Sequence, residues 1–299
     1  MMNNYLIGKA QFLGAKVLRR IPCSHAIVQK YNYLRHKRNE KILLKYCQKA
    51  ERGIVKSETT VNQGPIWLFW WQGEENMPLI IKKCVQSIRK NANGHRVVLI
   101  TQRNLENYFI PSPRIKLLKD NGRISMAHFS DVIRFNLLRI YGGLWLDATI
   151  FVTKPITSEY FSDFFTCSGF PDDDYFFVTQ GNWCSFLMGG SANNPVFQFM
   201  SKFYTEYWGD NDGLIDYFII DYALKYAWER NLGNFKSFTL IHKNDYNPHM
   251  FYLSKRLNKS FNKREWIKWN KDTSMFKLTY KMHFKNKPET FYKYIIGGL

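Results

Sequence analysis

Near the middle of the chain, a helix with polar residues on one face leads through two glycines into a short buried strand. Asp131 and Arg134 lie three residues apart, so a helix would project both side chains from one face. Gly142 and Gly143 would end that helix, because glycine accepts the left-handed backbone that a helix exit often needs. The strand then delivers Asp147 to its carboxyl end, where open α/β sheets place their ligands. The segment therefore predicts an α/β fold with a functional site at one sheet edge.

The remaining apolar patterns agree with this fold class. They predict strands at 66–71, 96–101, 167–170 and 183–187, and helices at 78–91, 195–208 and 214–230. The first two strands and the helix between them form one βαβ unit. We predict a mixed sheet flanked by helices over residues 61–299, preceded by a basic helical extension over residues 1–60. The polar residues 54–64 are the predicted linker between the two.

The net charge of +19 is concentrated at the two ends of the chain. Lys and Arg number 13 against 3 Asp and Glu over residues 1–60, 16 against 17 over residues 61–234, and 14 against 4 over residues 235–299. Each end therefore carries +10 and the centre −1. Basic flanks on a neutral body predict contact with an anionic partner, such as a membrane surface, a phosphorylated substrate or nucleic acid.

The first predicted helix is amphipathic, since Leu6, Ala10, Leu13, Val17 and Ile21 recur at helical spacing among lysines and arginines. Such a helix can lie on an anionic membrane, or it can pack on the protein's own body with solvated lysines. No run approaches the ~20 apolar residues of a transmembrane helix. Charged residues also interrupt the N-terminal apolar stretch, unlike a signal peptide.

Five cysteines, an odd number without a C-x-x-C pair or a metal-like spacing, predict reduced thiols in a cytosolic setting. Together with the basic ends, they favour a cytoplasmic protein that is peripheral on the inner face of the cell membrane.

The Ser130-Asp131-x-x-Arg134 helix, the Gly-Gly exit and the strand to Asp147 resemble glycosyltransferase family 32 and its capsular-polysaccharide-synthesis relatives, and more distantly the large clostridial glucosylating toxins. The likeness spans roughly residues 65–299. It implies the GT-A fold, a nucleotide-sugar donor, a divalent cation (Mn²⁺ or Mg²⁺) and retention of the donor's configuration. The expected reaction moves a hexose from a uridine diphosphate sugar to a growing bacterial capsule or O-antigen repeat unit.

By this resemblance, Asp131 accepts hydrogen bonds from hydroxyl groups of the donor. Arg134, which is also a catalytic candidate, holds sugar or diphosphate oxygens. These roles suit a carboxylate that only accepts and a guanidinium that offers a fork of donors. Gly142 and Gly143 belong to the same donor-binding segment. Without the downstream motif, an acid and an arginine at this spacing would more commonly form a surface ion pair.

The family's metal-binding Asp-x-Asp motif is altered in this chain. Asp147 occupies its first position, and the resemblance makes this residue catalytic, donor-binding and metal-binding. The triplet, however, reads Asp147-Ala148-Thr149. A threonine hydroxyl is neutral and a weaker ligand for a hard cation than a carboxylate. Capsule-type relatives also show Asp-Ala here, so Thr149 is a donor-binding candidate. The alternative is an ordinary β-branched strand residue.

The resemblance assigns further candidates at both ends of the fold. Trp70 would stack on the nucleotide base, Lys277 and Lys281 would fold over the diphosphate, and His283 would complete the metal shell. The alternatives are a core aromatic residue in a buried strand and solvated basic residues of the tail.

Two acidic features complete the candidate residues. Asp216, in the predicted 214–230 helix, is a catalytic candidate near the anomeric carbon or the acceptor hydroxyl, although an acid at a helix start also has a plain dipole explanation. The run Asp172-Asp173-Asp174 is more typical of a solvated loop, with an acceptor-facing role as the alternative.

The expected partners are a nucleotide sugar, a lipid-linked or oligosaccharide acceptor and an anionic membrane surface, without nucleic acid. Two other classes stay open. A nucleic-acid-binding protein would suit the charge of +19, although the sequence lacks zinc, RNP-like and helix-turn-helix signatures. A catalytically silent glycosyltransferase-like scaffold would suit the missing second Asp.

Overall fold

A five-stranded mixed sheet lies at the centre of the computed structural model, which describes residues 2–55, 64–172, 174–285 and 287–297. In chain order the strands are β1 (Ile66–Phe69), β2 (Val97–Ile100), β3 (Gly143–Leu146), β4 (Ile150–Val152), β5 (Phe164–Thr166), β6 (Leu187–Gly190) and β7 (Met275–Lys277). The sheet order is β2-β1-β3-β6-β5, with β1 parallel to β2 and β3, and β6 antiparallel to β3 and β5. Strands β4 and β7 form a separate antiparallel pair.

Helices cover both faces of the sheet. They are α1 (Met2–Leu18), α2 (His25–Glu51), α3 (Leu79–Lys90), α4 (Pro113–Asp120), α5 (Met126–Tyr141), α6 (Pro195–Asp210), α7 (Ile219–Glu229), α8 (Phe235–Ile241), α9 (Tyr252–Arg256), α10 (Lys263–Asp272) and α11 (Phe291–Gly297). The predicted mixed α/β sheet with flanking helices and an N-terminal helical segment is confirmed. In the part of the chain that the structure describes, no helix is long and apolar enough to cross a membrane.

Successive residues of β1 and β3 enter two different hydrophobic cores. Trp67 and Trp145 lie on one face of the sheet with α2, α5, α6 and α7, whereas Leu68 and Leu146 lie on the other face with α3 and the β4–β7 pair. Strands covered on both faces are apolar throughout, which is why the sequence shows short apolar runs here.

Helix α2 belongs to the first of these cores. Leu43, Tyr46, Cys47 and Ala50 are buried in it, and α2 packs against α6 and α7. The predicted linker that follows α2 falls largely outside the described residues, since 56–63 are not among them.

Two glycines let α1 approach the rest of the protein. A Cβ at Gly8 would clash with the backbone of Ile215, and a Cβ at Gly14 would clash with the hydroxyl of Tyr31. Glycine costs helix propensity, but at these positions close packing requires it.

The predicted apolar row of α1 lies on its other side, away from this packing face. Leu6, Leu13 and Val17 are 63%, 53% and 55% exposed, and Ala10 is exposed as well. Helix α1 therefore packs on the body, but not through the row that the sequence pattern marks as apolar.

The predicted strands at 167–170 and 183–187 are misplaced, because β5 ends at Thr166 and β6 begins only at Leu187, the last residue of the second predicted strand. Strand β6 contains Gly189 and Gly190, and a Cβ on either would lie 2.5 Å from a backbone carbonyl oxygen of the segment that precedes β5. A search for large apolar residues does not recognise a strand that needs glycine for close approach.

The predicted βαβ unit is confirmed: β1, α3 and β2 form within one or two residues of their predicted bounds, and β1 and β2 are parallel. Helix α6 also begins as predicted. Asn194 caps it, and Pro195 occupies its first turn, where a missing N–H costs nothing.

Candidate functional site

A cleft of about 1230 Å³ opens where β1 and β3 end. Its walls come from the ends of these strands, from α5, from the loops around β6 and α7, and from the segment after β7. Of the predicted site residues it brings together Trp70, Asp131, Arg134, Asp147, Thr149 and Lys281. The cleft thus lies at the sheet edge where the sequence predicts a site.

Asp147 is the centre of the ionic network in this cleft. Its Oδ1 accepts hydrogen bonds from Arg134 Nη2 at 3.2 Å and from Trp145 Nε1 at 3.1 Å, and its Oδ2 accepts one from Lys277 Nζ at 2.6 Å. Burial alone raises the pKa of Asp147, but Lys277 and Arg134 outweigh burial and hold that pKa below its ordinary value. Both oxygens of the ionised carboxylate are therefore bound by cations.

Helix α5 presents Asp131 and Arg134 to the same cleft. Arg134 Nη1 lies 3.1 Å from Asp131 Oδ1, and the guanidinium lies over the Trp145 ring, 4.9 Å from its centroid. Burial raises the pKa of Asp131, and Arg134 opposes this rise. Arg134 therefore links two carboxylates and is itself almost fully buried.

Gly142 and Gly143 set the geometry that joins α5 to β3, and neither lines the cleft. Gly142 ends α5 with a φ of 65°, and its carbonyl accepts a hydrogen bond from Trp67 Nε1 at 2.8 Å. Gly143 has a φ of 96°, and a Cβ there would clash with the carbonyl oxygen of Pro65 in the neighbouring segment. Only glycine satisfies both conditions at this turn.

Four polar atoms at the cleft are buried and have no hydrogen-bond partner among the described residues. They are the Thr149 hydroxyl, the indole N–H of Trp70, and Nε and Nη1 of Arg134, of which Nη1 makes only the ion pair with Asp131. Buried polar groups almost always have partners in folded proteins, so unpaired groups beside a cleft indicate that a polar ligand completes them.

An aromatic pair and a lysine border the cleft on the side of the C-terminal segment. Trp70 meets Tyr280 edge to face, with ring centroids 5.4 Å apart. The exposed Lys281 ammonium lies 5.7 Å from the Tyr280 ring centroid. Base stacking by Trp70 and diphosphate binding by Lys281 stay predictions.

Asp221 is a second buried acid in the cleft. It lies in the first turn of α7 and accepts a hydrogen bond from Trp183 Nε1 at 3.0 Å. Burial raises its pKa to about 7, with the hydrogen bond from Trp183 acting in the opposite direction and Asp131 adding to the rise. A correct helix start would have drawn attention to this residue, because it is the first acid of α7.

The structure does not bring Asp216 into the cleft. The predicted start of its helix is wrong, since α7 begins at Ile219 and Asp216 precedes it. The Asp216 carboxylate is buried against α2, where it accepts a hydrogen bond from Asn39 Nδ2 at 3.0 Å and lies 3.7 Å from Arg35 Nε. Its contacts connect α2 to the segment before α7.

The residues around Asp147 do not fit a divalent cation held by protein side chains. His283 is exposed, its carbonyl accepts from Asn258 Nδ2 at 2.8 Å, and it does not line the cleft. Within the described ranges, no group of three or more His, Cys, Asp and Glu side chains could hold a metal ion. Both Asp147 oxygens are bound by cations, and Thr149 offers only a neutral hydroxyl.

The acidic run near the cleft connects to the N-terminal helices. Asp172 lines the cleft, whereas Asp174 lies 3.7 Å from Arg19 Nε and 3.0 Å from His25 Nδ1. Asp173 lies outside the described residues. Arg19 also lines the cleft, so the N-terminal segment contributes directly to it.

Comparison with known proteins agrees with this geometry at the level of the family. No curated protein and no solved structure matched the chain. The model of the family described as capsular polysaccharide synthesis protein matches residues 20–295, a range that includes the sheet and every residue of the Asp147 network. The chain therefore belongs to the capsular polysaccharide synthesis protein family.

Proposed function

We propose that this protein is a GT-A glycosyltransferase that moves a hexose from a uridine diphosphate sugar to a growing bacterial surface polysaccharide, with retention of configuration. The observation that carries the proposal is the Asp131–Arg134–Asp147 network beside a cleft at the carboxyl edge of the sheet. Membership of the capsular polysaccharide synthesis family supports the polysaccharide context. A cleft of about 1230 Å³ has room for a sugar nucleotide.

Each cleft residue has a role in this proposal that suits its chemistry. Asp131 accepts hydrogen bonds from sugar hydroxyls, while the unpaired Nε of Arg134 and the Thr149 hydroxyl bind donor oxygens. Trp70 offers a planar face for the base, and Lys281 binds the diphosphate from the C-terminal side.

In the transfer, the bond between the anomeric carbon and the diphosphate oxygen breaks, and the acceptor oxygen bonds to that carbon from the same face. The hydroxyl proton passes to the departing diphosphate, so protons and charge balance. Arg134, Lys277 and Lys281 stabilise the negative charge that develops on the leaving group. Asp221 lines the cleft, whereas Asp216 does not. Asp221 is therefore the acid proposed to contact a sugar or acceptor hydroxyl.

The test compares two buried, ion-paired arginines, Arg134 at the cleft and Arg35 beside Asp216. Lysine keeps the charge but lacks the guanidinium fork. We expect Arg134→Lys to weaken binding of uridine diphosphate hexoses by about tenfold or more, the loss expected for charged hydrogen bonds, and to reduce transfer at least as much. Arg35→Lys should leave donor affinity unchanged. Calorimetry and a glycosyl-transfer assay measure both effects, and melting temperatures control for folding.

Equal donor affinity in the two variants would contradict the site. Steeply salt-dependent binding of DNA or RNA without nucleotide-sugar turnover would instead support the nucleic-acid-binding alternative. Donor binding without turnover, with or without Mn²⁺, would support the silent scaffold.

We also propose that the enzyme acts at the inner face of the membrane, where a lipid-linked acceptor is available. The observation that favours this location is the exposed apolar row of α1, with Leu6, Leu13 and Val17 facing away from the body and Lys9 and Lys16 exposed beside them. An amphipathic basic helix of this kind binds anionic lipid through both apolar burial and charge.

A further inference from the structure

We propose that the Lys277 ammonium takes the place of a divalent cation at Asp147, so that the donor diphosphate binds without metal. This inference rests on the proposed function, because it concerns how the same cleft holds a nucleoside diphosphate. The residues around Asp147 do not fit a metal ion held by protein side chains, as described above for the cleft.

The backbone holds Lys277 in this position from both sides. Lys277 pairs with Ile150 in the β4–β7 ladder, three residues after Asp147, and the next residue, Leu278, donates its N–H to the Thr149 carbonyl at 2.9 Å. The side chain is therefore delivered to Asp147 across 130 positions of sequence by a strand pair. A lysine anchored in this way loses little further freedom when it binds an anion.

The ammonium takes one oxygen of Asp147, where a metal ion would bind. Lys277 does not itself line the cleft, but its Nζ lies 4.4 Å from the ring centroid of Phe186, which does. Lys277 Nζ lies 2.6 Å from Asp147 Oδ2, close to the 2.0–2.6 Å range at which hard cations bind carboxylate oxygens. The other oxygen, Oδ1, already accepts from Arg134 and Trp145. A divalent ion on Asp147 would have to displace one of these cations or sit beside it, and like charges at such distances repel strongly.

The ammonium also supplies part of the charge that a metal ion would bring. Lys277 balances the Asp147 carboxylate, and Arg134 is shared between Asp147 and Asp131. The diphosphate therefore meets cationic groups that are already in place before it binds.

The experiment measures binding of uridine diphosphate by calorimetry, in EDTA and in Mn²⁺, for the full-length wild-type chain and three variants. Lys277→Ala removes the cation, and Lys277→Arg retains a cation. Lys154→Ala is the matched control, because Lys154 follows β4 and donates to the Lys271 carbonyl rather than to a carboxylate. Melting temperatures show whether each variant is folded.

The wild type and Lys154→Ala should bind with affinities that differ less than about twofold between EDTA and Mn²⁺. Lys277→Ala should bind about tenfold or more weakly in EDTA, and Mn²⁺ should restore part of this loss because Asp147 is then free to bind it. Lys277→Arg should still bind uridine diphosphate in EDTA. If Lys277→Ala does not fold, the test is whether the wild type and Lys277→Arg bind uridine diphosphate without metal.

A wild type that binds uridine diphosphate about tenfold more tightly in Mn²⁺ than in EDTA would overturn this inference and leave the proposed function standing. A folded Lys277→Ala that binds uridine diphosphate in EDTA as tightly as Lys154→Ala does would also overturn this inference and leave the proposed function standing. Absence of binding in every condition would overturn the proposed function together with this inference.

Discussion

Asp147 and Asp221 are carboxylic acids of one cleft in opposite electrostatic environments. Asp147 is half-buried and bound by Lys277 and Arg134, so its pKa is low. Asp221 is buried with one indole N–H as its partner, and its pKa rises to about 7. Acids whose surroundings push their pKa values apart can serve different purposes, one permanently charged and the other able to exchange a proton near neutral pH.

The raised pKa of Asp221 predicts a pH-dependent stability. Because its pKa is about 7 in the folded protein and about 3.9 in an unfolded chain, the folded state binds this proton more tightly. The free energy of unfolding should therefore fall as pH rises from about 4 to about 7, by at most ~1.4 kcal/mol per pH unit from this group. In Asp221→Asn the fall should be shallower.

Urea denaturation at several values between about pH 5 and about pH 8 measures this difference. Asp120→Asn is the control, because that carboxylate is 53% exposed and its ion-pair partner is Lys119 rather than a histidine. Parallel curves for wild type and Asp221→Asn would show that Asp221 is not the titrating group.

At the scale of elements, α1 has two faces in different surroundings. One face carries Gly8 and Gly14, where the helix meets the body too closely for any side chain. The other carries an apolar row that the folded chain leaves exposed. Exposed apolar residues at helical spacing beside lysines are typical of a membrane-surface helix.

We predict that Val17→Asp weakens binding to anionic vesicles without lowering the melting temperature. Val17 is 55% exposed, so the change removes apolar surface from the row and adds a repelled charge, but disturbs no buried contact. Ile241→Asp is the matched control, since Ile241 is 72% exposed at the end of α8. Flotation with phosphatidylglycerol vesicles measures the difference, and equal flotation of both variants would argue against α1 as the contact.

At the scale of the whole molecule, the N-terminal helices and the sheet share one core. Leu43 and Tyr46 of α2 lie in the same hydrophobic cluster as Trp67 of β1 and Trp145 of β3. The buried Arg35–Asp216 contact joins α2 to the segment that leads into α7. Stability of the region that forms the cleft should therefore depend on α2.

Neighbouring leucines of α2 test this dependence. Leu43 is 1% exposed and Leu44 is 43% exposed. Leu43→Ala should lower the free energy of unfolding by about 2–5 kcal/mol, through lost burial and the cavity left behind. Leu44→Ala should change it by about 0.5 kcal/mol or less. A single urea transition that shifts in Leu43→Ala alone is the expected result, whereas two transitions with only one shifted would indicate that α2 folds separately.

The sequence predicted elements well where side-chain size and periodicity decide them, as for the βαβ unit and α6. It missed β6, whose Gly189 and Gly190 are selected by contact with a distant carbonyl and leave no apolar signal. It also placed the start of α7 too early and so favoured Asp216 over Asp221, because apolar periodicity does not fix the residue at which a helix begins.

The sequence by itself determined the α/β class and the family. It also determined that Asp131, Arg134 and Asp147 lie close together, because these residues belong to one continuous helix-turn-strand segment whose geometry is local. Tertiary structure alone decided that Lys277, 130 positions from Asp147, binds its carboxylate, and that the apolar row of α1 faces outward. The physical reason is that strand pairing and helix packing bring together residues whose contacts depend on the folding of everything between them, and no spacing within one segment encodes such contacts.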